Sequence, residues 1–278
     1  MPKFLGSESG AERIKALRLE KGLTQFDMEL SGILTQANYS KIENGKSHPT
    51  RDKLDAILDI LDAHFNDRQQ ITKYFGYLPP YELPKYGEIE AACMHCQPVL
   101  NSVPMPAYLM DFATQFLAWN DCFAKLLGIH EDSDVLAELQ NMPLFKAQFD
   151  SHVRMADYME NMEEFLLIEM LNIRQRLAPY QGERWYDGFV AKLCEDNSFS
   201  HYWQKTEGVE SSDDIVTEFA ERILQPVRFN LPGFDTQVHF YANVDPLHGD
   251  DRFSIVYLIS ADAFTLRQVE RWLAEGGK

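Results

Sequence analysis

Between Leu17 and Leu61 the chain is interrupted at Gly22, Ser31-Gly32, Gly45 and Pro49, so each helix in this stretch is held to a few turns. Helices that short are marginal in water and persist only by packing an apolar face on neighbours. The stretch is thereby constrained to a bundle of short helices, and local residues mark their ends. A first segment runs from about Ala11 to Lys21, with Ile14 and Leu17 on one face, and stops at Gly22. Thr24 opens a second as N-cap, with Asp27 in the capping-box position. Thr35 caps a third, which Gly45 ends as a left-handed C′ residue. A fourth follows Pro49-Thr50 and places Leu54, Ile57, Leu58 and Leu61 at i, i+3, i+4 and i+7, a single apolar face.

The third segment, TQANYSKIENGK, has the most informative pattern. Tyr39 and Ile42 point inward. At about 100° per residue the opposite face carries Ala37, Ser40, Lys41 and Asn44, with Gln36 projecting from the first turn and Asn38 at the margin. Two short helices joined by a tight turn, the second presenting polar side chains, is the geometry that enters a DNA groove. An amide such as Gln36 pairs with adenine, Ala37 meets a thymine methyl, and Lys41 and Lys46 neutralise phosphates.

Net charge taken over the whole chain opposes this, but the charge is unevenly placed. The whole 278-residue chain carries −17. Residues 1–65 hold 9 Lys and Arg against 10 Asp and Glu, whereas the remainder holds 17 against 33. The acidity therefore belongs to the C-terminal part, which phosphate repels, and only the N-terminal part can approach a duplex.

The run LRLEKGLTQFDMELSGILTQANYSKIENGKSHPT resembles the helix-turn-helix of the Cro/repressor, XRE-type family. The resemblance implies that Gln25 meets backbone phosphate and that Gln36 and Ala37 face base edges. It places Ser40 and Lys41 deeper in the groove or on phosphate, and Asn44 to Lys46 on the backbone; Thr35 and Asn38 complete the expected DNA-binding set. Two positions depart from the family pattern: its small residue in the second helix is Glu29 here, and its turn glycine is Ile33, with Gly32 one place early. Modules of this size usually bind as dimers on two half-sites, so a homodimer on double-stranded operator DNA is expected.

Length fits two domains. We expect a helix-turn-helix domain over 1–66, a helical, proline-containing connection over 67–102 and a ligand-binding domain over 103–278. In the connection, DRQQITKYFGY extends as a helix, LPPYELPKYG is proline-broken, and EIEAACMHCQPVL forms a further helix ended at or shortly after Pro98. The C-terminal part then opens with short strands at Ala107–Met110 and Phe116–Trp119. A helix follows, capped by Asn120 or Asp121 and stopped by Gly128. A long helix is expected over Met155 to Leu177, strands at Val227–Leu231, Gln237–Tyr241 and Phe253–Ile259, and a last helix from about Phe264 to Ala274.

This order, with PAYLMD…FLAWN, NMPLFKAQF and DNSFSHYW, resembles the PAS-like ligand-binding domain of MmyB-like transcription regulators. The fold class expected is mainly α with a smaller mixed α+β part: a four- to five-helix repressor-like bundle, then a PAS-like α+β domain with extra helices. By resemblance that domain holds a small apolar ligand, such as a fatty acid. Trp119, Met162, Phe165, Leu166, Met170 and Trp203 are the candidate ligand-binding residues, since Met-rich apolar surface suits adaptable pockets. The plainer reading of the same residues is core packing. Arg174 and Arg176 offer an anchor for a carboxylate, or simply a solvated face.

Other classes find little support. No His-Glu-x-x-His, Gly-x-Ser-x-Gly, Walker-type loop or Gly-x-Gly-x-x-Gly occurs, so no enzyme is expected. Cys93 and Cys96 form a close pair around His95, but Cys122 and Cys194 stand apart, so neither a zinc site nor a disulfide framework is expected, and no cofactor follows. No apolar run is long enough to span a membrane and the N-terminus lacks a signal-peptide core, which makes the cytoplasm the expected location. The rival readings are a C-terminal domain that only dimerises or recruits a protein, and an enzyme fused to a DNA-binding module.

Overall fold

The computed structural model describes residues 9–78, 82–129, 133–147, 149–153, 155–208, 225–230 and 237–275. Pro79, Pro80 and Tyr81 of the proline-broken segment, and Leu231 at the end of one expected strand, lie outside the described residues. Two compact units are formed, Met1–Tyr81 and Glu82–Lys278. The first is all-α and the second α+β, as the sequence implies.

The N-terminal unit consists of α1 (Gly10–Glu20), α2 (Gln25–Leu30), α3 (Gln36–Glu43), α4 (Arg51–Ile60) and α5 (Phe65–Tyr74). Their ends follow local chemistry. At α2 the Thr24 hydroxyl accepts from Asp27 N at 3.1 Å, and the Asp27 carboxylate accepts from Thr24 N at 2.7 Å, so aspartate closes the capping box as fully as glutamate does. Gly22, Gly32 and Gly45 leave α1, α2 and α3 at φ of 69°, 78° and 66°, the left-handed region a side chain resists. Ile14, Met28, Tyr39, Ile42, Leu54 and Ile57 meet in one core. Helix α5 joins that bundle: Ile71 and Phe75 enter the core, and Arg13 on α1 holds Asp67 through two hydrogen bonds of 2.5 and 3.0 Å. A Cβ on Gly10 would lie 2.7 Å from the Tyr74 side chain, so α1 and α5 approach too closely there for any larger residue.

Segment 67–102 is accordingly shared between the units, α5 packing in the first and α6 (Tyr86–Ser102) in the second. Helix α6 passes through Pro98 and ends at Ser102, four residues beyond, where an end at or shortly after Pro98 was expected. Proline removes one backbone donor and crowds the preceding turn. The helix survives because Ala92, Cys96 and Leu100 bury against the sheet on both sides of that point.

The second unit is built on β1 (Ala107–Asp111), β2 (Phe116–Trp119), β3 (Val227–Phe229), β4 (Val238–Leu247) and β5 (Asp250–Ser260), all antiparallel in the order β2-β1-β5-β4-β3. Side chains alternate between the two faces. Ala107, Leu109, Phe253 and Ile255 meet α6 on one. Tyr108 and Met110, paired with Val256 and Ser254, point to the other. Helix α7 (Asp121–Leu126) starts at Asn120, whose Oδ1 accepts from Phe123 N and Ala107 N while its Nδ2 donates to the Leu100 and Met105 carbonyls. That one buried amide ties α6, β1 and α7 together. Its other described α-helices are α8 (Ser133–Leu139), α9 (Leu144–Ala147), α10 (Met155–Tyr158), α11 (Met162–Leu177), α12 (Tyr186–Leu193), α13 (Asn197–Lys205) and α14 (Ala263–Glu275).

The helix expected over Met155 to Leu177 is broken into α10 and α11. Asn161 is the cause: its Nδ2 donates to the Pro226 carbonyl and its Oδ1 accepts from Arg228 N, while Glu160 N donates to the Arg228 carbonyl. The asparagine thus joins the edge at β3 and leaves the helical path. Strands β4 and β5 extend past their apolar cores, because Asn243 to Pro246 continue the ladder opposite Ser254 to Tyr257 with exposed residues on β4.

Candidate functional site

Helix α3 buries Tyr39 and Ile42 and exposes Gln36, Ala37, Asn38 and Lys41, with Ser40 half-buried. Asn44, at the C-cap, and Lys46, just beyond, are also exposed. The helix begins at Thr35, whose hydroxyl accepts from Asn38 N at 3.4 Å. At its other end the Asn44 amide donates to the Ser40 carbonyl at 2.7 Å. Lys41 and Lys46 take part in no ion pair among the described residues, whereas Arg13, Arg18, Lys21 and Arg51 all do. Lys15, Lys53 and Lys73 are likewise exposed and in no ion pair among the described residues; what marks Lys41 and Lys46 is their place beside this polar face.

Gln25 sits differently from expectation. Its amide nitrogen donates to Glu43 Oε2 at 2.7 Å, so part of its hydrogen-bonding capacity is turned inward. Glu43 is also gripped by Arg18 through bonds of 2.6 and 3.1 Å, and Arg18 donates a third to the Leu23 carbonyl. Both charged side chains are buried, and the Glu43 hydrogen bonds raise the Arg18 pKa while burial lowers it. Burial holds the neighbouring Tyr39 phenol well above its ordinary range. This network spans α1, the start of α2 and the end of α3, fixing the helix pair from inside. Sequence reasoning missed it, yet a signal existed: Arg18 lies four residues after Ile14 and Glu43 four after Tyr39, each charge falling on an apolar face.

The C-terminal unit holds a cavity of about 490 Å3 between β1, β4, β5 and α11. Met110, Phe112 and Ile173 give it apolar walls, and Asp111, Glu169 and Arg176 give it charge. Asp111, 3% exposed, accepts from Gln115 N at 2.9 Å, and burial pushes its carboxyl up to about 6 against those backbone donors. Glu169 is half-buried, and desolvation raises it to about 7 while Arg176 and Asn172 pull it the other way.

None of the six expected ligand residues lines this cavity. Met162, Leu166 and Met170 form the buried stripe of α11, and Phe165 is half-buried beside it. Trp119 ends β2, half-buried, its carbonyl accepting from Gln97. Trp203 lies on α13, stacked on Phe199 and under the Arg174 guanidinium at 3.9 Å. Arg174 is itself buried and donates to Thr206 and to the Trp203 carbonyl, so it fastens α13 to α11. Arg176, its neighbour two places on, is the one that reaches the cavity. The cavity went unseen because its lining comes from strand ends and one helix that lie far apart in the chain.

Cys93 and Cys96 lie on α6, where burial pushes both thiols up and the Cys93 sulfur faces the Leu117 carbonyl. Glu138, Asp150 and His152 do bring potential metal-ligating atoms within 4.8 Å of one another. Asp150 is the turn acceptor for His152 N and Val153 N, however, and His152 and Glu138 are exposed.

Residues 14–67 match the helix-turn-helix family model, from within α1 to the start of α5. The matched span contains α2, the turn and α3 whole, and gives the N-terminal unit as a DNA-binding helix-turn-helix of transcriptional regulators. No curated protein matches the chain. Among the described residues no helix is long and apolar enough to cross a membrane.

Proposed function

We propose that this chain is a cytoplasmic, non-enzymatic regulator of the XRE type, binding operator DNA as a homodimer, and that its C-terminal unit is a PAS-like, MmyB-like domain responsive to a small molecule with an apolar body. The observation that carries the DNA reading is the face of α3: exposed Gln36 and Ala37 at its start, with unpaired Lys41 and Lys46 flanking it. In the docked complex Gln36 and Ala37 read base edges, and Ser40, Lys41, Asn44 and Lys46 follow the backbone. Gln25, at the start of α2, meets phosphate with the part of its amide that Glu43 does not use.

The strand order β2-β1-β5-β4-β3, with α6 on one face and a cavity under α11 on the other, supports the PAS-like reading. A ligand regulates DNA binding only by preferring one of two arrangements of the dimer. The rival, a C-terminal unit that only dimerises, draws on Tyr241 and Ile259, paired across β4 and β5 and both exposed. Mass spectrometry of an organic-solvent extract of the denatured protein separates the two, since a stoichiometric small molecule belongs to the first alone.

Binding to genomic fragments tests the DNA reading. Gln36→Ala is expected to relax preference at one base position by about 1–3 kcal/mol without abolishing binding. Lys41→Ala with Lys46→Ala is expected to weaken binding to all sequences alike. Unchanged binding by the double lysine variant would remove α3 from the interface.

A further inference from the structure

The cavity of the C-terminal unit has a charge imbalance that its size does not require. Asp111 at the end of β1, Glu169 on α11 and Asp251 on β5 are three acidic residues in its lining, against Arg176 as the one cation lining it among the described residues. That guanidinium is already engaged, lying 4.4 Å over the Phe112 ring and donating to the Asp251 carbonyl at 2.9 Å. An anionic head group entering here meets a net negative wall, whereas an ammonium meets acceptors. A second observation concerns Thr114. It is 2% exposed and lines the same cavity, yet its hydroxyl has no hydrogen-bond partner. Buried hydroxyls are nearly always partnered, so an orphan in a cavity wall points to a missing donor or acceptor.

We propose that this cavity binds a small amphiphilic amine, its ammonium held by Glu169 with Thr114 accepting a further N–H, and its body lying along Met110, Phe112 and Ile173. The volume, about 490 Å3, is that of a small-molecule site. The assignment rests on the reading of this unit as ligand-responsive and names the ligand class. It also replaces a carboxylate head group, as in a fatty acid, with its charge opposite. Burial leaves Glu169 ionising near neutrality, so a bound cation stabilises the carboxylate and drives proton release. The groups that act on it are Tyr108 from β1 and, from its own helix, Arg176 and the hydrogen-bonding Asn172; the β4 lining, Val244 and Pro246, carries no charge.

Calorimetric titration of the full chain with octylammonium, octanol and octanoate tests the head group on one constant body. Octylammonium is expected to bind at least tenfold more tightly than either of the others near pH 7. Glu169→Gln should weaken it about tenfold and leave octanol unchanged, and protons should be released on binding, read from two buffers of different ionisation enthalpy. Octanoate binding as tightly as octylammonium, no binding by octylammonium, or indifference to Glu169→Gln would each overturn the amine assignment. Operator affinity measured with and without saturating octylammonium reads the underlying premise separately. Binding that leaves DNA affinity unmoved keeps the site and refutes regulation, while octanoate binding that shifts DNA affinity refutes the amine and keeps regulation.

Discussion

At the scale of single residues, the polar groups that matter most here are the buried ones. Arg18 and Glu43 keep 7% and 1% of their side-chain surface exposed, so each has lost most of its hydration and depends on the other. Removing one partner strands a charge, which costs about 3–5 kcal/mol in such sites, whereas replacing both with apolar residues of similar volume is often neutral. Glu43→Leu is therefore expected to lower the stability of the N-terminal unit by several kcal/mol, and Arg18→Met with Glu43→Leu to recover most of it. Urea denaturation of the four chains of the cycle measures this; additive losses would mean that the two charges do not depend on one another. The double variant also frees Gln25 from Glu43, so its DNA affinity separates what the network does for stability from what it does for presenting α2.

Elements differ in how far local sequence determines them. The short helices of the first unit were legible because their own residues close them: Thr24 with Asp27, Thr35 at the start of α3, and the three left-handed glycines. The exposed polar face of α3 was legible for the same reason, since a 3.6-residue period sorts Tyr39 and Ile42 from Gln36 and Lys41. What was not legible is decided by partners far along the chain. Asn161 ends one helix path only because Pro226 and Arg228 stand beside it, and α6 runs through Pro98 only because a sheet folded from residues beyond it covers Ala92, Cys96 and Leu100. The same reasoning makes Pro98 a residual liability. Proline inside a helix costs about 3 kcal/mol relative to alanine, part of it already relaxed here by local adjustment. Pro98→Ala is expected to stabilise the C-terminal unit by about 1–2 kcal/mol, read as a higher urea midpoint at unchanged slope. A lower midpoint would show that the ring itself packs usefully.

Across the whole molecule the decisive property is that the net charge lies outside the span that matches the helix-turn-helix model. Residues 1–65 are close to neutral and hold Lys41 and Lys46 beside the polar face of α3, while the rest of the chain carries nearly all of the net −17. A protein that gripped DNA through bulk positive charge would show a steep loss of affinity with salt. The proposed complex has few phosphate contacts to lose, and the charge of the acidic part adds repulsion that salt relieves. Each neutralised phosphate contributes about −0.9 to the slope of log K against log salt. Lys41 and Lys46 alone then give about −2 per protomer and about −4 for a dimer on two half-sites, before the acidic part makes it shallower. Operator binding between low and moderate salt is expected to show a slope no steeper than this, and Lys41→Ala with Lys46→Ala to bring it close to zero. A slope twice as steep, persisting in that variant, would mean that cations of the acidic unit reach the duplex and that the segregation of charge from contact does not hold in the complex.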